Sequence, residues 1–295
     1  MKLSSLSTLA LASLVAVPLA VSPRLARAET KLAVQSLTAS PGGFLVDATL
    51  ITGEKEAILV DSSFTLADAH RVVAAIIDAN KTLTTVYVTH DHPDHYFGLT
   101  VIREAFPKAK IVALPATIKG IKATFQAKLK QWGPMYGANL PTKPVIPSPL
   151  AGNTLTLEGQ TLEIHGHVQG DSPENSYVWI PSIKTVVAGD VVYSGVHVWT
   201  AETNADARKA WLKTLDELTA LAPTTVIAGH KDPKLKDDAS AIEKTRGYLK
   251  FFDEALAASK SAAELEAKLK AKYPDLALDV IAHFGAAAQF PAAAK

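Results

Sequence analysis

The sequence predicts a layered α/β fold on three observations. Short runs rich in Val, Ile and Thr alternate with segments whose apolar residues recur at helical spacing. Several of those runs stop just before a histidine or an aspartate, as happens where sites gather on loops beyond the carboxyl ends of strands. The chain has 295 residues, 48% hydrophobic and 20% charged, which is enough to bury a core and excludes a disordered or low-complexity protein.

Taken in order, strands are expected over 32–37, 44–51 and 57–60, with a Gly53-Glu54 turn before the third, which ends at Asp61. The stretch 66–79 has apolar residues at helical period and reads as an amphipathic helix. A β-branched strand over 85–89 stops at His90, and a helix over 98–106 and a strand over 111–114 follow. Residues 115–150 break the rhythm: a basic helix over about 116–131 runs into Trp132-Gly133-Pro134-Met135-Tyr136-Gly137 and then a stretch with four prolines. That segment is either a surface excursion or a lid presenting Trp132, Met135 and Tyr136 to a substrate with an apolar portion. Strands resume over 154–157, 160–165, 176–180 and 185–188, the last ending in Gly189-Asp190. A helix over 205–221 and a strand over 225–228 lead to Gly229-His230. The remainder, 238–285, is a helical C-terminal part, with 286–295 expected to fray.

Residues 1–28 read as a cleaved secretory signal peptide. Lys2 precedes an apolar run from Leu9 to Val21, and Ala26 and Ala28 form an A-x-A site before Glu29. The run is shorter than the ~20 residues of a spanning helix and contains Pro18. Cleavage removes Lys2, Arg24 and Arg27 and no acid, which turns a formal charge of +1 into −2. The expected product is a single domain, 29–295, periplasmic or secreted, with no membrane attachment and no basic field for nucleic acid. The chain has no cysteine, which excludes disulfides, thiolate zinc sites, iron–sulfur clusters and a Cys nucleophile.

The strongest chemical signal is His90-x-His92-x-Asp94-His95, directly after an apolar strand. A loop there can turn four side chains toward one point, and imidazole nitrogen with carboxylate oxygen suits zinc or a similar divalent ion. Asp190 and His230 each follow a glycine at a strand end, which brings the candidates to enough for two ions. His197 could be a ligand, a substrate-contacting group or structural, and Tyr193 could donate to a developing oxyanion. Asp61 would orient a ligand histidine through its free ring nitrogen. His70 and His283 carry no such expectation.

On Asp61, His90 to His95, Gly189-Asp190 and Gly229-His230, the chain resembles the metallo-β-lactamase superfamily, with the metal set of the glyoxalase II and lactonase type. The resemblance covers nearly everything after residue 28. It implies a four-layer αββα sandwich with two divalent ions at one edge, zinc being expected, with manganese or iron as alternatives if Asp171 is a ligand. It implies that His90 and His92 bind one ion and Asp94 and His95 the other, with Asp190 bridging and His230 completing the second site. One ligand departs from the pattern. Where the family has a histidine about ten residues before a strand-ending Pro, counting back from Pro181 lands on Asp171; His167 lies four residues earlier. Either could complete the first site, and Asp171 would make its shell harder and more anionic.

The implied activity is hydrolysis of an ester, lactone, thioester or amide carbonyl in a small molecule by a metal-activated hydroxide. Asp94 would hold the hydroxide and relay its proton, and Tyr193 or His197 would stabilise the oxyanion. The alternatives are a periplasmic β-lactamase, a mononuclear iron dioxygenase with the same His-x-His-x-Asp-His start, and a non-catalytic metal-binding protein on the same scaffold.

Overall fold

The computed structural model describes residues 31–290, so the signal-peptide expectation and residues 291–295 lie outside it. A six-stranded sheet runs in chain order: β1 Ala33–Thr38, β2 Asp47–Thr52, β3 Glu56–Val60, β4 Thr82–Val88, β5 Lys110–Ala113 and β6 Ser148–Pro149. The first three strands are antiparallel neighbours, and β3 to β6 run parallel. The second sheet contains β7 Thr154–Leu157, β8 Gln160–Val168, β9 Asn175–Ile180, β10 Thr185–Val187 and β12 Thr225–Ile227, in the order β12-β10-β9-β8-β7. A short parallel pair, β11 Tyr193–Ser194 with β13 His230–Lys231, lies beside the site.

Strand alternation shows why the sheets stack. Ile58 and Val60 of β3, Tyr87 of β4, Val178 and Ile180 of β9 and Ile227 of β12 share one core between the sheets. Their neighbours Ala57, Leu59, Val86 and Val88 face outward into a second core. There they meet α1 Leu66–Asp78, α3 Leu99–Ala105 and α4 Pro115–Tyr136. Tyr177, Trp179, Val186 and Val226 face a third core with α5 Ala205–Ala220, α6 Ser240–Ala257, α7 Ala262–Lys272 and α8 Asp279–Gln289. A period of two with both faces apolar is what two sheets covered by helices require. Each such Val, Leu or Ile contributes about 1.5–3 kcal/mol on burial. The architecture is the αββα sandwich that the sequence implied.

Two segments differ from expectation. The helix expected over 116–131 continues through Pro134 to Tyr136, because Trp132 and Tyr136, one turn apart, both pack on Phe64 at centroid distances of 5.6 and 4.8 Å. Gly137 closes it at φ +52°, a conformation that disfavours a side chain. Residues 115–136 are thus a packed helix. Met135, expected to face the substrate, is 66% exposed and does not line the cleft. The C-terminal part is three helices, since Ser261 starts α7 as an N-cap that accepts from Glu264 N. Ala286, expected to fray, is fully buried in α8.

On β2, burial pushes the Asp47 carboxyl up to about 7, against hydrogen bonds from Thr38 and Ser36 that pull it down. An unfolded Asp titrates near 3.9. Between those values the folded protein keeps a proton that the unfolded chain has lost, so the stability contribution of this proton is complete below about 3.9 and lost as pH rises through about 7. About three pKa units correspond to roughly 4 kcal/mol. Asp47→Asn is therefore expected to gain stability over the wild type steadily from pH 4 to 7 and to keep the gain above. Denaturant unfolding across that range measures it, and a pH-independent difference would refute the assignment.

Candidate metal centre

The site lies beyond the carboxyl ends of β3, β4, β10 and β12. Asp61 follows β3 at φ +61°, in the left-handed region that Asp tolerates better than most residues. Its carboxylate accepts from Thr89 N and Thr89 Oγ1, both at 2.8 Å, and from His95 Nδ1 at 2.8 Å. That grip fixes the turn after β4, where α2 Pro93–Tyr96 starts directly at His92. The short helix sends Asp94 and His95 to one side, while His90 and His92 precede it.

Across from them, β10 ends in a turn carrying Asp190, with Gly189 at φ +50°. Gly229, before His230, is required by close approach: a Cβ there would overlap Asp190 Oδ1. The Val-x-Ala-Gly ends of β10 and β12 place one ligand candidate each and leave room for the other's carboxylate. Asp171 sits in the loop after β8, its backbone N–H donating to Asp190 O at 3.2 Å and its carboxylate accepting from Asn175 Nδ2 at 3.1 Å.

Two donor clusters result: His90, His92, Asp171 and Asp190 in one, and Asp94, His95 and His230 in the other, with ligand atoms in each within 4.8 Å of one another. His92 Nδ1 lies 2.9 Å from Asp171 Oδ2, and His90 Nε2 lies 3.8 Å from Asp190 Oδ2. Asp190 touches the second cluster as well, with Oδ1 3.1 Å from His95 Nε2 and Oδ2 3.3 Å from His230 Nε2. His230 Nε2 is also 3.2 Å from Asp94 Oδ2. His167 is absent from both clusters. It sits at φ +58° on the irregular end of β8, its side chain 69% exposed and bonded to Glu174.

The donor set fits divalent ions on an observation independent of the ligand count. His90 Nε2 is buried without a hydrogen-bond partner, and His95 Nε2 and Asp190 Oδ1, though 3.1 Å apart, are not aligned for a hydrogen bond and have no other partner, a cost of about 1–3 kcal/mol each unless a cation satisfies them. The electrostatics agree. Burial pushes the His90 imidazole down, and the neighbouring His95 adds to this, so His90 is neutral. Burial would also lower His92, His95 and His230, but the carboxylates of Asp171 for the first and Asp190 for the other two outweigh it and raise them. Burial would raise Asp190, yet His230 and His95 hold it well below the usual range. Three carboxylates among four imidazoles thus attract positive charge to one buried point.

Tyr193 donates to Asp190 Oδ2 at 2.9 Å, with Asp171 Oδ2 at 3.3 Å, and stacks on His230 with ring centroids 5.3 Å apart. Burial and those two carboxylates raise its pKa well above the usual range, so it stays a phenol and a donor. His197 is outside both clusters but lines the adjoining cleft, with Nδ1 3.0 Å from Tyr248 OH. Burial lowers its pKa.

The cleft opens to solvent and is walled by Phe44, Phe64, Trp132, Trp199, Leu278 and Ile281. Of the expected lid residues, Trp132 reaches it. At its polar side lie Lys128, Gln131 and Glu202. Glu202 is not legible as a site residue in the sequence: it belongs to a loop between β11 and α5, with no strand end or glycine marking it. His92 Nε2 lies 3.4 Å from its Oε2, and Lys128 Nζ 3.4 Å from its Oε1. The His92 contact, burial opposing it, holds the Glu202 carboxyl down at about 2.

Comparison with solved structures places this architecture among known ones. A metallo-beta-lactamase family protein from Thermus thermophilus superposes with a TM-score of 0.62 at 22% identity, covering 87% of this chain and 91% of its own. The DIM-1 metallo-beta-lactamase superposes at 0.56 and 19% identity, covering 76% and 95%. A metallo-beta-lactamase from Pontibacter korlensis gives 0.56 and 15%, covering 75% and 99%. These likenesses establish the fold. Compared by sequence with curated proteins, the chain has no significant match. Residues 41–230, which contain all seven clustered ligand candidates, match the family described as the metallo-beta-lactamase superfamily. The chain belongs to that superfamily, and its His/Asp cluster is the metal-binding site of a metal-dependent hydrolase.

Proposed function

We propose that the chain is an exported hydrolase that uses a pair of divalent ions, zinc or else manganese or iron, to cleave an ester, lactone, thioester or amide carbonyl in a small molecule with an apolar portion. The observation that carries the reading is Asp190, whose two carboxylate oxygens reach imidazoles of both donor clusters. One cluster would hold an ion through His90, His92 and Asp171, the other through Asp94, His95 and His230, with Asp190 shared. When bound, such a pair lowers the pKa of water enough to supply hydroxide near neutral pH and polarises a carbonyl.

The chain's own groups do the rest. The aromatic and aliphatic wall takes the apolar part of the substrate and excludes water. Asp94 has the least buried of the clustered carboxylates, 14% exposed, which supports a role in which it would accept the proton of the attacking water and pass it to the leaving group. Tyr193 keeps Asp190 oriented with its one O–H, which leaves His197, on the wall of the cleft, as the candidate donor to the oxyanion. The Asp190 contact to both clusters supports two ions over the single iron of a dioxygenase. The N-terminal sequence supports export, and the charge of −2 after its removal supports a small molecule over nucleic acid as the partner.

The test is elemental analysis of the purified mature protein together with a panel of lactone, thioester, aryl ester, β-lactam and phosphodiester substrates. The expected result is two ions per chain and carbonyl hydrolysis that is lost on chelation. One iron per chain with oxygen consumption would overturn it, as would failure to bind any ion on loading.

A further inference from the structure

A histidine that binds a metal through one ring nitrogen carries a hydrogen on the other, and that hydrogen needs an acceptor to fix the tautomer and the ring plane. Three of the four clustered imidazoles have theirs within the buried frame. His95 Nδ1 meets Asp61 Oδ2 at 2.8 Å. His90 Nδ1 meets Thr89 Oγ1 at 3.0 Å, and that hydroxyl donates onward to Asp61. His230 Nδ1 meets the carbonyl of Phe44 at 2.7 Å. The fourth, His92, turns Nδ1 toward Asp171 and the first cluster, and its Nε2 faces Glu202.

Resting on the metal reading above, we infer that Glu202 is the positioning residue of His92, and that Lys128 holds Glu202 in place, so that helix α4 is mechanically tied to the first metal ion. Glu202 differs from the other acceptors in its setting. Asp61 and Thr89 are buried, whereas the Glu202 side chain is 40% exposed at the cleft. The residue that follows it in the loop is nevertheless held. Buried Arg208 donates to Thr203 O at 2.9 Å and to Thr203 Oγ1 at 3.2 Å, and Thr203 N donates to Thr200 O at 3.2 Å. The Arg208 guanidinium is itself paired with Asp253 and lies over the Phe252 ring. The carboxylate is thus presented by a built loop.

Lys128 supplies the connection to the substrate side. It lies one turn before Trp132 on α4, and both line the cleft. A ligand packing on Trp132 bears on the same helix that holds Glu202 through Lys128, and Glu202 sets the His92 ring. Occupancy of the apolar wall and the geometry of the first ion are thereby linked through three side chains, His92, Glu202 and Lys128. A second role for Lys128, pairing directly with a substrate carboxylate, would compete with its hold on Glu202 and would show as a change in KM alone.

The experiment uses the mature full chain, with chelator competition for both ions and the visible spectrum of the cobalt(II)-loaded protein. Glu202→Ala is expected to weaken one of the two ions by about 10–100-fold and to alter the cobalt spectrum. The other ion should hold its affinity. Glu202→Gln keeps a carbonyl acceptor for His92 and should restore most of the loss. Lys128→Met should fall between, and Lys130→Met, exposed on the same helix, should match the wild type. Asp171→Asn serves as the reference for which ion belongs to the first cluster. Unchanged affinities and an unchanged spectrum in Glu202→Ala, with KM alone affected, would overturn the inference and leave the metal centre standing. A wild-type chain that takes up no ion would overturn both.

Discussion

Asp190→Asn is expected to abolish tight binding of both ions and all hydrolysis in one step, with the fold retained. The expectation follows from position. Among the described residues Asp190 is the carboxylate placed against both clusters, within 3.1 to 3.8 Å of His95, His230 and His90. An amide of the same shape keeps the Tyr193 contact and the packing around Gly229, but it removes one of three negative charges and turns a donor toward atoms that need an acceptor. Losing an outer partner of a ligand costs roughly 10–100-fold in affinity, so losing a shared ligand should exceed about 100-fold for each ion. Other substitutions in the centre should be lopsided. A ligand of a single cluster, such as Asp171 or His230, should weaken one ion far more than the other. Stepwise metal titration of Asp190→Asn, with circular dichroism to confirm the fold, decides the point. Two ions held with wild-type affinity would refute the shared role.

What can be read in the sequence, and what cannot, follows from how each residue reaches the centre. His90, His92, Asp94 and His95 lie within six residues after one strand, so local spacing already puts them on one turn. Asp190 and His230 are legible because a glycine precedes each, and the structure gives the reason in the Asp190 carboxylate occupying the place of a Gly229 Cβ. The choice between Asp171 and His167 is open in the sequence. In the structure an irregularity in the pairing of β8 with β9 between His165 and Val168, with His167 at φ +58°, turns the His167 side chain out to Glu174, while Asp171 lies beside His92. A chain pattern does not encode such a local change of direction. Glu202 is invisible for a related reason: it reaches His92 from a loop 110 positions away in the chain, and only the packing of that loop beside α4 makes it a partner. The strands are legible nearly to the residue where the period-two apolar pattern is unbroken, as in β7, whereas elements extended by tertiary contacts lose their bounds, as α4 does past Pro134.

Asp61→Ala is expected to cost both stability and metal, and the two losses have one origin. The carboxylate accepts three hydrogen bonds, from the backbone and hydroxyl of Thr89 and from His95 Nδ1, all in a site only 2% exposed. Removing it leaves three buried donors without an acceptor at about 1–3 kcal/mol each. Alanine at φ +61° adds about 1–2 kcal/mol of backbone strain that Asp bears more easily. A loss of about 4–11 kcal/mol in the ion-free protein is therefore expected, large against the 5–15 kcal/mol of a typical domain. The effect on the ions should be symmetric, unlike that of Glu202→Ala. Asp61 fixes His95 in the second cluster directly and His90 in the first through Thr89, so both affinities should fall by about 10–100-fold. Asp61→Asn separates the two consequences. With its amide oxygen at the Oδ1 position the side chain still accepts from Thr89 N, which spares part of the stability, while the amide nitrogen at Oδ2 cannot accept from His95, so in this orientation the second ion should weaken more than the first. Denaturant unfolding with a chelator present, set beside chelator competition on the loaded protein, measures both. A variant that unfolds more easily yet binds both ions as tightly as the wild type would confine Asp61 to the fold and remove it from the metal centre.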